Sequence, residues 1–194
     1  AAAYPAEMQG HWDLLSAGFT KDNIDATARE EGDVATALAK AGDGVVKAEY
    51  RAPYLAHAPM EPLAMTVLVG EGRADVWAAA QAPRFAQANV AKVLGLPVEA
   101  VHVHVQMAGG SFGHRLEDDA IRVAAEIAAT VKGRPVKLTL KREEDMATDY
   151  PRQIAMARAE GAVAEGKVVA FDLGIAMPSV VGSQMGRQGM NIPG

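Results

Sequence analysis

The chain has 194 residues, of which 49% are hydrophobic and 22% are charged, and its formal net charge is −5. This balance is typical of a globular protein with a buried core in one or two domains. An acidic chain without a basic cluster is not expected to bind nucleic acid. The absence of cysteine excludes disulfides, zinc–thiolate sites and iron–sulfur ligation in this polypeptide. No apolar run reaches the roughly 18 residues of a membrane helix, so we expect no membrane span.

The N-terminal part of the chain predicts little regular structure. One short helix is expected at 34–41, because Asp33 is a suitable N-cap and Gly42 a suitable stop. A strand should follow at 45–50, and three prolines make the next segment, up to residue 62, an irregular connector. Neither end of the sequence caps an element, which favours an excised piece of a longer protein.

The remaining elements alternate between hairpins and single helices. In chain order we expect a hairpin (63–69 and 74–79), a helix from Pro83 to Gly95, a strand (101–107), a helix (about 117–132), a strand (136–140) and a second hairpin (154–162 and 168–176). Strands joined by both helices and hairpins indicate an α+β fold with mixed or antiparallel sheets and helices packed on one side. The regular alternation of a doubly wound fold is missing.

The sequence GGSFG at 109–113 is the most open stretch of backbone. A strand, a glycine-rich loop and a helix can bring bare N–H groups to a ligand with phosphate or oxyanion groups. The spacing matches neither the dinucleotide motif GxGxxG nor a P-loop. The alternative is a structural turn, in which Ser111, Asp118 or Asp119 caps the following helix.

Gln81 stands between a strand and a helix, where it either contacts a ligand or caps the helix that starts at Pro83. Considered alone, the residue favours the structural role. The acidic run REED at 142–145 predicts a solvated surface rather than acid–base catalysis.

The histidines do not predict a metal site. His102 and His104 share one face of a strand, which we expect to be a solvent face. His57 is expected to bond locally within its proline-rich segment. His114 and Arg115 either hold an anion near the loop or pair with Glu117 and Asp118, and the second role is favoured.

Several segments together resemble the large, molybdopterin-binding subunit of the xanthine oxidase family. They are YRAPYLAHAPMEP (50–62), WAAAQAP (77–83), VAKVLGLPVEAVHVHV (90–105), GGSFGHRLEDD (109–119) and KGRPVKLTLKREEDM (132–146). The form GGSFGHR and the segment from Asp149 to Val180 are most similar to the isoquinoline 1-oxidoreductase β-subunit branch. The resemblance implies an N-terminal segment at 1–44 and part of the molybdopterin-binding domain, truncated at its C-terminus, at 45–194.

The resemblance implies cofactor-binding roles for four residues. Gln81 would hydrogen-bond an oxygen ligand of molybdenum, and Phe112 and Gly113 would present backbone atoms to the same centre and its pterin dithiolene. Gly110 would allow the cofactor to approach closely. No residue is implied as a direct metal ligand.

The implied protein is a molybdenum hydroxylase subunit that oxidises an N-heteroaromatic compound or an aldehyde, with water as the oxygen source. Leu116 stands where purine-oxidising members carry a substrate-binding glutamate, which favours a less polar substrate. The family's catalytic glutamate lies far downstream, so we expect no catalytic residue here, and an isolated chain that is inactive and holds no cofactor. The implied partners are a small 2Fe–2S subunit and the remainder of the chain itself. The alternative is a non-catalytic binding or structural domain that keeps the fold without cofactor.

Overall fold

The computed structural model describes residues 5–180 and residue 182, and within it the chain forms two compact units. One unit joins residues 1–55 to residues 153–194, and the other comprises residues 56–152. Residue 181 and residues 183–194 of the expected domain at 45–194 lie outside the described part. The boundary after residue 44 stays a prediction.

The described chain has five α-helices and seven strands, numbered in chain order. The helices are α1 (Met8–Ala17), α2 (Val34–Ala41), α3 (Pro83–Leu94), α4 (Asp119–Thr130) and α5 (Arg142–Thr148). The strands are β1 (Val45–Ala52), β2 (Ala64–Val69), β3 (Ala74–Ala78), β4 (Val101–Val105), β5 (Val136–Thr139), β6 (Ala155–Ala164) and β7 (Lys167–Ala176). Among the described residues, no helix is long and apolar enough to cross a membrane.

The first unit is built on an antiparallel sheet in the order β1–β6–β7. The tight turn between β6 and β7 contains Glu165 and Gly166, both with positive φ, so the predicted hairpin is confirmed. The predicted helix α2 is also confirmed, because the Thr36 N–H donates to the Asp33 carboxylate at 3.0 Å. Helix α1 was not predicted, since Trp12 is its one buried residue and its apolar stripe is weak.

The second unit contains a four-stranded sheet in the order β4–β3–β2–β5. Strand β3 pairs antiparallel with β2 and parallel with β4, and α3 forms the crossover that a parallel pair requires. Alternate residues of β2 and β3 are buried. They form one core with residues of α3 and α4, namely Ala86, Val90, Ala91, Ile121, Ala124, Ala125 and Ala128. The α+β class, with a mixed sheet and helices packed on one side, is confirmed.

The parallel pairing of β3 with β4 determines which edge of the sheet carries Gln81 and the loop at 109–113. Because β3 and β4 run in the same direction, the segments that follow them leave the sheet at the same edge. The Gln106 N–H donates to the Ala78 carbonyl at 3.0 Å, so the two exits stay side by side. Gln81 follows β3 and the loop at 109–113 follows β4, so both lie at this edge.

The face of β3 and β4 that points away from the helix-covered core carries a polar cluster. His102 and His104 are both exposed, as expected for a solvent face. The His104 ring stacks on Trp77, with centroids 5.0 Å apart, and its Nε2 lies 2.8 Å from an Asp75 carboxylate oxygen. Hydrogen bonds from Arg73 and then from His104 lower the pKa of Asp75 from 3.8 to about 2.

This shift predicts that Asp75→Asn changes how stability depends on pH. A lowered pKa in the folded state stabilises the protein above pH 3.8, and the contribution is lost as pH falls through about 2. We expect the wild type to be the more stable at pH 7, and the two proteins to converge towards pH 2. Urea unfolding at a series of pH values measures the difference. A difference that does not change with pH would contradict the prediction.

Candidate functional site

The backbone of the loop at 109–113 is held in an unusual conformation. Gly110, Phe112 and Gly113 have φ angles of 101°, 57° and 112°. Residues with side chains rarely adopt such angles, so this backbone conformation needs glycine at 110 and 113. Phe112 is an outlier of the kind that clusters at functional sites. The Phe112 side chain is 79% exposed.

The amides of this loop are available to a ligand. No N–H group of residues 110–113 donates a hydrogen bond to another described residue. Consecutive N–H groups on backbone that changes between right- and left-handed conformations form concave sites that favour oxygen acceptors and anions. The loop therefore has the geometry of an acceptor-binding site, beyond that of a turn.

Gln81 is hydrogen-bonded to this loop through its side chain and to Arg115, two residues after the loop, through its backbone. Its N–H donates to the Arg115 carbonyl at 2.9 Å, and its Oε1 accepts a short hydrogen bond from the Ser111 hydroxyl. Its side-chain nitrogen makes no hydrogen bond to a described residue. The interpretation of Gln81 as a helix cap is wrong, because Ala82 is the N-cap of α3 and no side chain caps it.

Ser111 does not cap α4 either. Its hydroxyl accepts the Arg115 N–H at 3.0 Å while it donates to Gln81. The N-cap of α4 is Asp118, whose side chain makes no cap hydrogen bond. It accepts instead from Asn89 and Arg122. The hydroxyl of Ser111 therefore orients Gln81.

Arg115 fixes the inner side of the loop. Its side chain is 2% exposed, and its Nε donates to the Gly110 carbonyl at 2.9 Å. Its Nη2 donates to the carbonyl and the carboxylate of Glu61, at 3.0 and 2.8 Å. Glu61 in turn accepts the Gly109 N–H at 2.8 Å. The expected pairing of Arg115 with the acidic residues that follow it is wrong, since its partner lies 54 positions earlier.

A second polar cluster lies directly beside the loop. The rings of His57 and His114 are stacked with centroids 5.7 Å apart, and Asp149 lies against both. The expectation of local bonding for His57 is wrong, because its backbone N–H and its Nδ1 both contact Asp149, 92 positions away. The expected pairing of His114 with Glu117 and Asp118 is wrong as well, because its ring faces Asp145 and Asp149.

The segment at 142–145, predicted as a solvated surface, belongs to α5 and carries a buried acid. Asp145 is 1% exposed and accepts from the Leu63 N–H at 3.2 Å and from Arg142 at 2.9 Å. Its Oδ1 also lies 3.1 Å from His114 Nε2. No local spacing signals this network, because its members come from three distant segments.

The chain belongs to a known family of cofactor-binding domains. Residues 18–185 match the model of the molybdopterin cofactor-binding domain. The chain therefore contains a domain of this family, and the resemblance seen in the sequence is confirmed.

Individual relatives are oxidoreductases or their subunits. The chain is 30% identical over 155 residues to subunit beta of isoquinoline 1-oxidoreductase from Brevundimonas diminuta, which covers 79% of this chain and 20% of that one. It is 35% identical over 148 residues to aldehyde oxidase 1 from Oryctolagus cuniculus, which covers 74% and 11%. The structure of aldehyde oxidoreductase from Desulfovibrio gigas shares the fold, with a TM-score of 0.64, 19% identity, and coverage of 84% and 19%. The chain thus spans about a fifth or less of the length of these relatives.

The loop fits the cofactor that the family name implies. A pterin cofactor with phosphate and oxo groups offers oxygen acceptors, and residues 110–113 present N–H donors without partners. The individual roles expected for Gln81, Gly110, Phe112 and Gly113 stay predictions.

The buried position of Arg115 predicts a large effect of Arg115→Met. This change removes three charge-assisted hydrogen bonds but keeps the apolar stem, and we expect a loss of about 3 kcal/mol of unfolding free energy. Urea unfolding measures the loss, and amide hydrogen exchange shows whether the loop opens.

The matched control for this variant is Arg73→Met. Arg73 pairs with Asp75 on the surface, where solvent screens the ion pair, so we expect a much smaller loss of stability than for Arg115→Met. Similar losses of unfolding free energy in the two variants would show that the buried hydrogen bonds of Arg115 stabilise the protein no more than a surface ion pair does.

The restricted space around Gly113 predicts that a side chain at this position destabilises the protein. A Cβ atom at Gly113 would lie 3.2 Å from His57 Nε2, and the φ angle of 112° disfavours any side chain. We expect Gly113→Ala to be destabilised more than Gly133→Ala, which has φ of 79° and open space around it. The positive φ alone costs about 1–2 kcal/mol. Equal losses in urea unfolding would contradict a contact between residue 113 and His57.

Proposed function

We propose that this chain forms one wall of the molybdopterin site in a larger molybdenum hydroxylase, an oxidoreductase. The observation that carries the proposal is the joining of Gln81 to the loop at 109–113. The Ser111 hydroxyl of the loop donates to the Gln81 side chain, and the Gln81 N–H donates to the carbonyl of Arg115, two residues after the loop. The N–H groups of residues 110–113 donate to no described residue. Membership of the cofactor-binding family supports this assignment.

Each residue has a distinct part in this proposal. The side-chain nitrogen of Gln81 donates to the polar edge of the cofactor, while Ser111 holds its oxygen. Phe112 and Gly113 present their N–H groups without reorganisation, because the glycine backbone is already fixed. A Cβ atom at Gly110 would lie 3.2 Å from Pro59 Cβ, so this glycine lets the loop sit close to its support. When bound, the cofactor supplies the redox chemistry, and the protein supplies position and hydrogen bonds.

The proposed substrate is an N-heteroaromatic compound of the isoquinoline type or an aldehyde, with water as the oxygen source. The names of the two relatives described above support these two classes. Leu116, an apolar residue just after the loop, supports a substrate less polar than a purine. The proposed partners are a small subunit that carries 2Fe–2S clusters and the remainder of the protein's own chain. The catalytic base is proposed to lie outside the 194 residues, so this chain alone is not expected to turn over substrate.

Replacing Gln81 in the full-length protein, expressed with its small subunit, tests the proposal. We expect Gln81→Ala to lower kcat/KM by about 10²-fold, the effect of losing one preorganised donor. Gln9→Ala is the matched control, because Gln9 is an exposed glutamine on α1. Wild-type turnover by Gln81→Ala with bound molybdenum would overturn the role of Gln81.

Metal analysis separates this proposal from its alternative, a domain that keeps the fold without cofactor. We expect molybdenum in the purified wild-type protein after expression with ample molybdate. Its absence under those conditions would favour the non-catalytic domain.

A further inference from the structure

Three side chains beside the loop have the composition and spacing of a metal site. One ligand atom from each of His57, His114 and Asp149 lies within 4.8 Å of the other two. Asp149 Oδ1 lies 2.8 Å from His57 Nδ1 and 3.0 Å from His114 Nδ1. Two imidazoles and one carboxylate form a common ligand set for Zn²⁺ and similar ions.

The hydrogen bonds around His114 leave one of its nitrogens without a partner. Its Nε2 faces Asp145, whose carboxylate already accepts from Arg142 and from the Leu63 N–H. Because a carboxylate only accepts, Nε2 carries a proton, and in the tautomer protonated only there Nδ1 has a lone pair that faces the Asp149 carboxylate. That atom is buried and makes no hydrogen bond within the described part of the chain. A buried polar atom without a partner is costly and needs an explanation.

The geometry at Nδ1 suits a metal ion better than a proton. Nδ1 is only 3.0 Å from the Asp149 oxygen, yet the two are not aligned for a hydrogen bond. In a tetrahedral site with ligand bonds of about 2.0–2.1 Å, neighbouring ligand atoms are about 3.3 Å apart. The observed separations of 2.8 and 3.0 Å between the Asp149 oxygen and the two Nδ1 atoms are slightly shorter than this, so both contacts lengthen a little when an ion enters.

The surroundings resemble the outer shell of known metal sites. Ligating histidines usually donate their second ring N–H to a carboxylate, as His114 does to Asp145. The other oxygen of Asp149 accepts the His57 backbone N–H at 2.6 Å, which orients the carboxylate. The His57 side chain is 11% exposed and provides access from solvent.

We propose that His57, His114 and Asp149 bind one divalent transition-metal ion of the Zn²⁺ class, with water as the fourth ligand. The ion replaces the proton that His57 Nδ1 shares with Asp149. It joins the segment before β2, the residue that follows the glycine loop and the C-terminus of α5. Its role is structural, because it accepts the lone pair of His114 Nδ1 and balances the charge of the Asp149 carboxylate, which otherwise face each other. This site is separate from the proposed molybdopterin site and does not depend on it.

The test is a Zn²⁺ titration of the full-length protein after treatment with a chelator. Isothermal titration calorimetry should show one equivalent bound, and Co²⁺ in its place should give the visible absorption of a four-coordinate ion. We expect His57→Ala and Asp149→Asn to weaken Zn²⁺ binding by about 10-fold or more. The matched control is His104→Ala, since His104 also pairs with a carboxylate, that of Asp75, but belongs to no cluster of three possible ligands among the described residues. That variant should bind like the wild type.

Each outcome decides for or against the site. No stoichiometric Zn²⁺ uptake by the wild type overturns it, and so does undiminished uptake by His57→Ala. If the variants fail to fold, as circular dichroism would show, the wild-type Co²⁺ spectrum decides alone, and a six-coordinate spectrum overturns the site. Molybdenum is measured in the same sample, so loss of the zinc site is distinguishable from failure of the proposed function.

Discussion

The buried guanidinium of Arg115 is the interaction on which the candidate site depends. A charge taken out of water is tolerated only when its donors find acceptors, and those of Arg115 are the Gly110 carbonyl and the carbonyl and carboxylate of Glu61. Both acceptor segments are irregular and lack strand partners along most of their length. The guanidinium therefore supplies the bonds that secondary structure does not, and it fixes one loop against the other.

The sheet adds the second constraint, which places Gln81. Parallel pairing of β3 with β4 brings the exits of both strands to one edge, and the Gln81 N–H then reaches the Arg115 carbonyl. Arg115 thus bonds to the loop through its side chain and to Gln81 through its backbone carbonyl. Ser111 completes the arrangement by orienting the Gln81 amide. A few conventional hydrogen bonds convert a sheet edge into a surface with fixed donors.

What the sequence predicted was local, and what it missed was distant. Both hairpins, α2, α3 and the buried stripe of α4 follow from periodicity, caps and turn residues, which act over a few positions. Glycine at 110 and 113 suits the positive φ angles that the structure shows there, because it has no Cβ atom. The pairing of Arg115 with Glu61 and of His57 with Asp149 joins residues 54 and 92 positions apart, and no periodic pattern encodes such pairs. Family resemblance could point to Gln81 and the loop, but not to these supports.

The two sides of the loop differ in a way that restricts what can cover it. On the inner side, the Gly109 N–H and the Gly110 carbonyl are bonded within the protein. The N–H groups of residues 110–113, by contrast, have no acceptor among the residues that the structure describes. Water satisfies them while the loop is exposed, but an apolar partner would leave four buried donors unpaired at about 1–3 kcal/mol each. Whatever covers this loop must bring oxygen acceptors of its own, and a phosphate- and oxo-bearing cofactor meets that requirement.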